Sequence, residues 1–170
     1  MLLRHGIAED PSAVHGDEAR RLTGEGKRKT RDVAAGMRAL DLPVDAILSS
    51  PLVRAHQTAE IVADVYGIGA GGLHVTEALA PGHEVDDVFA AMRPHRDAGG
   101  IVLVGHEPDM GELVSTLLVG TPGLVGVRFK KAGLAGVTVG SLPPRGAGIL
   151  EFMMAPGQLR RIGRAVTTRE

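Results

Sequence analysis

The chain has 170 residues, enough for one domain with a hydrophobic core and too few for two ordinary domains. Apolar residues make up 44% and the formal net charge is −1, which excludes a disordered chain and a general attraction to nucleic acid or anionic membranes. Cysteine is absent, which excludes disulfides and a thiol nucleophile, and no stretch approaches the roughly 20 apolar residues of a membrane span. We therefore expect one cytoplasmic domain over residues 1–170, monomeric with a dimer left open, that binds neither nucleic acid nor membranes.

Strand and helix signals alternate along most of the chain, which predicts a mostly parallel sheet covered by helices. Thr23 is the predicted cap of the first helix, with Val33, Met37 and Leu40 on one face, and Ser50 is the predicted cap of the second. The predicted elements, in chain order, are a strand over 1–4, a helix over 23–40, a strand over 46–49, a helix over 50–66, a strand over 73–76, a helix over 84–92, a strand over 101–104, a helix after 108, strands over 134–139 and 149–153, and a helix over 158–162.

Basic and imidazole side chains follow three of these strands. His5 follows the first strand beside Arg4, and His106 follows the continuous apolar run over 101–104. Open α/β sheets bind ligands at the carboxyl ends of their parallel strands. Arg54 lies in the first turn of the second helix, where a cation opposes the macrodipole unless it reaches toward a bound anion. A lone histidine or arginine is more often structural, but three strand ends with these side chains predict a phosphate pocket.

Other motifs do not indicate a nucleotide-binding or metal-binding site. Gly67, Gly69 and Gly72 have the spacing of a dinucleotide-binding loop, but a helix precedes them and a strand follows, the reverse of that motif. No His-Glu-x-x-His or His-x-x-x-His pair is present. We therefore expect no metal and no cofactor.

Three segments resemble the signatures of the histidine phosphatase superfamily, which includes the cofactor-dependent phosphoglycerate mutases. Residues 3–6 (Leu-Arg-His-Gly) resemble its Arg-His-Gly signature, and residues 50–58 (Ser-Pro-Leu-Val-Arg-Ala-His-Gln-Thr) its Ser-Pro-x-x-Arg-Ala-x-Gln-Thr segment. Residues 104–108 (Val-Gly-His-Glu-Pro) resemble its second catalytic histidine segment. The resemblance spans Met1 to about Phe152 and implies a three-layer α/β/α sandwich of the phosphoglycerate mutase-like type.

Within the superfamily, the chain looks most like the small SixA-type phosphohistidine phosphatases. Residues 21–26 contain their Leu-Thr-x-x-Gly segment, and residues 78–82 contain their Leu-x-Pro turn. The short length, without the insertions of the mutases, agrees with this subfamily.

The resemblance implies a metal-independent mechanism on four residues. His5 is the expected nucleophile and forms a phosphohistidine intermediate that water hydrolyses. Arg4 and Arg54 are expected to clamp the phosphoryl oxygens, with His106 as a further donor. Glu77 lies where many family members have a general acid, but its register against the following turn is open, and phosphohistidine hydrolysis needs no strong acid.

The sequence leaves the substrate open between two classes. The first is phosphohistidine on a protein partner such as a phosphotransfer domain, and the second is a small phosphoester such as a sugar phosphate or nucleotide metabolite. A phosphate-binding module without turnover is the non-enzymatic alternative, although none of the four site residues is missing.

Three smaller points also stay open. The first is whether Arg20 or Arg21 reaches the pocket rim; we expect both to lie on the ordinary surface. The second is whether the two lysines that follow Phe129 contact an acidic partner or form a solvated turn. The first strand is short, so the sequence does not decide whether the natural chain extends before Met1.

Overall fold

The computed structural model describes residues 1–13 and 16–167 and is built on one six-stranded sheet. The strands are β1 (Leu2–Arg4), β2 (Ala46–Ser49), β3 (Leu73–Val75), β4 (Ile101–Gly105), β5 (Leu134–Thr138) and β6 (Ile149–Met154). Their order across the sheet is β3-β2-β4-β1-β5-β6. The first four in this order are parallel, whereas β5 is antiparallel to β1 and to β6. The predicted, mostly parallel central sheet is therefore confirmed.

Helices cover both faces of the sheet. They are α1 (Gly24–Ala39), α2 (Val53–Tyr66), α3 (Val85–Met92), α4 (Asp109–Val119) and α5 (Pro156–Thr167). One hydrophobic cluster joins α1, α2 and α5 to one face, and a second joins α3 and α4 to the other. The result is the expected three-layer α/β/α sandwich. None of the helices in residues 1–13 and 16–167 is long and apolar enough to cross a membrane.

Local sequence accounts for the elements that position the site. Thr23 caps α1, because its side chain accepts a hydrogen bond from the backbone N–H of Gly26 at 2.9 Å. The apolar runs of β2 and β4 are buried along their whole length, as expected for strands covered on both faces. On the far side of α1, a Cβ at Gly36 would collide with the backbone of Leu159, so glycine allows the close approach of α5.

Several predicted boundaries are wrong. Leu40 is 40% exposed and follows the last residue of α1, so it does not belong to the buried face. The second helix begins at Val53, with Leu52 rather than Ser50 at the capping position, because the Ser50 hydroxyl has another partner in the site. The final helix is longer than predicted at both ends.

Candidate active site

The carboxyl ends of β1, β4 and β2 lie side by side at one edge of the sheet. Arg4 pairs with Gly105 across β1 and β4, and Ser49 pairs with Val104 across β2 and β4. The chain directly after β1 stays attached to β4, because the backbone N–H of His5 donates to the carbonyl of Gly105 at 3.0 Å. The sheet topology therefore brings together the three strand ends that the sequence singled out.

His5 is buried as a neutral imidazole of defined tautomer. The residue is 5% exposed, and Nδ1 lies 2.7 Å from the carbonyl oxygen of Gly6. A carbonyl only accepts hydrogen bonds, so Nδ1 carries the hydrogen and Nε2 keeps its lone pair. Burial, aided by the charges of His106 and the two arginines, lowers the pKa of His5 to about 3, although the bond to Gly6 acts in the opposite direction. At neutral pH, Nε2 is thus an unprotonated nitrogen base.

His106 faces His5 across the edge of the sheet, with 5.2 Å between the ring centroids. It is 3% exposed, and its Nε2 lies 2.8 Å from Ser50 Oγ. That oxygen accepts from the N–H of Leu52 at 3.3 Å, which leaves its own proton to be donated to Nε2. This arrangement favours the tautomer with hydrogen on Nδ1. Burial, followed by the charge of Arg54, lowers the pKa of His106 to about 4.

Arg54 is a buried cation held by a carboxylate from a distant loop. The residue is 4% exposed although it lies in the first turn of α2. Its Nη1 donates to the Asp17 carbonyl at 2.6 Å, and its Nη2 donates to Asp17 Oδ2 at 2.7 Å. The other carboxylate oxygen of Asp17 accepts from Arg20 Nη1 at 2.6 Å. Arg20 therefore supports the site through Asp17 and does not lie on the ordinary surface, whereas Arg21 is exposed.

Arg4 is fixed by the segment before β5. Its Nη1 donates to the carbonyl of Phe129 at 2.6 Å, and the backbone N–H of Phe129 donates to Glu107 Oε1 at 2.8 Å. Burial lowers the pKa of Arg4, and the charge of Glu107 opposes that shift. Glu107, from the loop before α4, thus fixes the Phe129 segment that in turn orients Arg4.

Three donors around the histidines are buried without a hydrogen-bond partner in the described ranges: Arg4 Nε, Arg54 Nε and His106 Nδ1. A buried polar atom without a partner costs roughly 1–3 kcal/mol. Phosphoryl oxygens are strong acceptors that match such donors, and arginine recognises them with its planar fork. Glu107 Oε2 is also buried and without a partner there, so the site includes one carboxylate oxygen as well. Chemically, the arrangement combines a nitrogen base with convergent donors for an oxyanion.

Glu77 lies apart from this group. It begins a short 3₁₀ turn after β3 and is exposed. Within the described part of the chain, no hydrogen bond or ion pair joins it to the two histidines or the two arginines. The same described residues contain no group of three or more His, Cys, Asp or Glu side chains that could hold a metal ion.

The structure brings together all four predicted site residues, Arg4, His5, Arg54 and His106. Sequence reasoning missed Asp17, which begins a single 3₁₀ turn (Asp17–Ala19) too short to give a periodic signal. It also assigned Ser50 to a helix cap, although that residue stands directly after a predicted strand, where ligand-facing side chains are expected.

Comparison with known proteins agrees with this geometry. Residues 1–80 match the family described as histidine phosphatase superfamily (branch 1). An uncharacterised protein of Picosynechococcus sp. is 38% identical over 142 residues, which cover 81% of this chain and 83% of the relative. The phosphohistidine phosphatase SixA of Escherichia coli (strain K12) is 29% identical over 162 residues, with 94% of this chain and 95% of SixA covered.

Solved structures show the same fold. The protein histidine phosphatase SixA complexed with tungstate has a TM-score of 0.80 and 28% identity, and the match covers 93% of this chain and 97% of that chain. The α-ribazole phosphatase from Shigella flexneri has a TM-score of 0.70 at 16% identity, over 91% of this chain and 95% of that chain, which shows the fold alone. The fold is therefore phosphoglycerate mutase-like. The chain belongs to the histidine phosphatase superfamily, and its activity is that of a phosphatase.

Proposed function

We propose that this phosphatase hydrolyses phosphohistidine on a protein partner, such as a phosphotransfer domain, through a phosphorylated intermediate on His5. The observation that carries the proposal is the state of His5, a neutral imidazole with hydrogen on Nδ1 and a lone pair on Nε2, close to two arginines and His106. The similarity to SixA over nearly the whole chain supports phosphohistidine as the substrate.

In the first step, His5 Nε2 attacks phosphorus and the P–N bond to the substrate imidazole breaks. A new P–N bond forms on Nε2, and the substrate imidazole takes up a proton from solvent as it leaves. In the second step, water attacks the phosphoryl group, inorganic phosphate departs, and His5 returns to its neutral form. Arg4, Arg54 and His106 donate to the equatorial oxygens, where charge is spread in the transition state.

The leaving group explains why no strong acid is needed. Imidazole is a far weaker base than the alkoxide released from a phosphoester, so its departure requires little protonation. The exposed position of Glu77 is compatible with such a substrate. We therefore expect Glu77→Gln to leave phosphohistidine hydrolysis within about twofold of wild type; a large loss would make Glu77 the acid.

The test is phosphate release, with EDTA present, from a phosphotransfer protein phosphorylated on histidine. His5→Ala should abolish turnover, and removal of one donor by Arg54→Gln should lower the rate by about 10²–10³-fold. The matched control is His95→Ala, since the ring of His95 lies against His74 of β3, with 4.6 Å between the centroids, and not against a residue of the candidate site. It should retain full activity.

A substrate panel separates the alternatives. A phosphoserine peptide and several phosphorylated metabolites are assayed beside the phosphotransfer protein. Activity confined to the small phosphoesters would keep the His5 mechanism and replace the protein substrate. Turnover that survives His5→Ala, or no turnover on any substrate, would refute the mechanism, and inhibition by EDTA would refute metal independence.

A further inference from the structure

A second cluster of cations lies beside the active site, around a cavity of about 360 Å³ that we call the basic cavity. It lies between α1, α5 and the turn that precedes β5. Its wall consists of Ile7, Gly26, Lys29, Thr30, Lys130, Lys131, Ala132, Pro156 and Arg160. Four of these residues are cationic and none is acidic. The basic cavity therefore has the composition of an anion site, and no step of the proposed mechanism uses it.

Two polar atoms in this wall lack partners. Thr30 is fully buried, and its hydroxyl has no hydrogen-bond partner among residues 1–13 and 16–167. Arg160 Nε is likewise buried and without a partner in those ranges. Each such atom is costly unless an oxygen-bearing group satisfies it. The wall of the basic cavity therefore includes polar groups that the described residues leave unsatisfied.

Nearby acids do not neutralise the wall. Glu25 pairs with Lys29 at 2.6 Å, and Arg160 adds a weaker attraction to the same carboxylate. Hydrogen bonds from Ser12 lower the pKa of the exposed Asp10, and the charges of Arg20 and then Lys131 add smaller contributions. Three cations, Lys130, Lys131 and Arg160, therefore remain without a direct ion pair in the described part of the chain.

The basic cavity shares its walls with the active site. Ile7 follows His5 by two residues, which places their Cα atoms within about 8 Å. The backbone N–H of Ala132 donates to the carbonyls of Arg4 and His5, at 3.1 and 3.0 Å. A Cβ at Gly6 would collide with the Thr30 hydroxyl, so the loop after His5 lies directly against the cavity wall. A molecule bound at His5 can therefore present a second group to the basic cavity only if it extends across this loop.

We propose that the basic cavity is a second oxyanion site, which holds a carboxylate side chain of the protein substrate while its phosphohistidine occupies the His5 pocket. The inference rests on the proposed function and names the chemistry that the partner must carry near its phosphorylated histidine. A small P–N compound such as phosphoramidate reaches only the His5 pocket, because it cannot span the loop. The basic cavity should thus act on the protein substrate alone.

The experiment compares kcat and KM on two substrates, the phosphohistidine-bearing phosphotransfer protein and phosphoramidate. The test variant is Lys130→Gln, Lys131→Gln and Arg160→Gln combined. The matched control is Arg161→Gln, an exposed cation of the same helix outside the cavity wall. The combined variant should raise KM for the protein about tenfold with little change in kcat, and weaken the salt dependence of kcat/KM. Its activity on phosphoramidate should stay within about twofold, and the control should match wild type on both.

Each other outcome contradicts the inference. An equal loss on both substrates would mean that these residues support the active site itself. An unchanged KM for the protein, or an equal effect of Arg161→Gln, would mean that the basic cavity does not hold the partner. The double variant Lys130→Gln with Lys131→Gln, at two exposed positions, replaces the combined variant if the latter does not fold. If wild type does not hydrolyse the phosphohistidine of the protein at all, the proposed function itself is wrong. The wild-type arm of the same assay therefore distinguishes this outcome from a failure of the inference about the basic cavity.

Discussion

The two buried histidines make the stability of the free enzyme depend on pH. Their ordinary pKa is 6.5, and the folded structure lowers it to about 3 for His5 and about 4 for His106. Below pH 6.5 the unfolded chain therefore binds protons that the folded chain does not, so stability is complete above pH 6.5 and falls as the pH drops from there toward 4 and 3.

The magnitude follows from the distance between the chosen pH and the unfolded pKa. A pH of 5 lies about 1.5 units below the pKa of each imidazole in the unfolded chain, whereas both imidazoles are still neutral in the folded state. The free energy of unfolding therefore falls by about 2 kcal/mol per group. Together, His5 and His106 should lower the free energy of unfolding by about 4 kcal/mol between pH 7 and pH 5. That is a large fraction of the roughly 5–15 kcal/mol that stabilises an ordinary domain.

Urea unfolding followed by circular dichroism at pH 7, 6 and 5 measures this loss. The comparison is between wild type and His5→Gln, which cannot take up the proton. His5→Gln should lose about 2 kcal/mol less than wild type between pH 7 and pH 5. Parallel pH dependences for the two proteins would refute the reasoning, because they would mean that His5 does not resist protonation in the folded state. His83→Gln, at an exposed position, serves as the control for the loss of any histidine.

Three further predictions concern residues around the site and the packing behind it. Asp17→Asn removes a negative charge beside Arg54 and should lower the inhibition constant of inorganic phosphate by roughly two- to fivefold; weaker inhibition would mean that the carboxylate mainly positions the arginine. Ser50→Ala removes a partner of a buried imidazole and should cost about 1–3 kcal/mol in urea unfolding; an unchanged midpoint would mean that the hydroxyl is dispensable. Gly36→Ala inserts a Cβ against the backbone of α5 and should destabilise the protein by about 1–3 kcal/mol, whereas Gly157→Ala, which meets nothing within 4 Å, should be neutral or stabilising. Equal melting temperatures for the two alanine variants would contradict the close packing of α1 on α5.

The sequence was sufficient to predict the sheet and the four central side chains because both depend on local patterns. Buried parallel strands are short apolar runs, and the topology places their carboxyl ends together, so His5 and His106 could be found from their position after such runs. The family resemblance added their roles. The catalytic assignments, and the single domain over residues 1–170, stay predictions.

Features that depend on distant parts of the chain could not be predicted. Ser50 has the local signature of a helix cap, but His106, 56 residues further along, is the partner that decides its role. Asp17 begins a single 3₁₀ turn, and only the folded structure brings its carboxylate to Arg54, 37 residues away. The basic cavity likewise joins lysines of a turn to residues of α1 and α5, so no single segment of sequence shows it.

The central position of β1 has a consequence for synthesis of the protein. Its neighbours in the sheet are β4 and β5, which begin at Ile101 and Leu134, so β1 has no partner strand until the stretch from His5 to Ile101 has been made. At roughly 5–20 residues per second, the ribosome needs on the order of 5–20 s to add that stretch. During this time β1 is an apolar strand without its sheet neighbours, the kind of segment that is prone to aggregation. His5, directly after it, can reach its buried position beside His106 only late, once β4 and the residue that follows it have also left the ribosome.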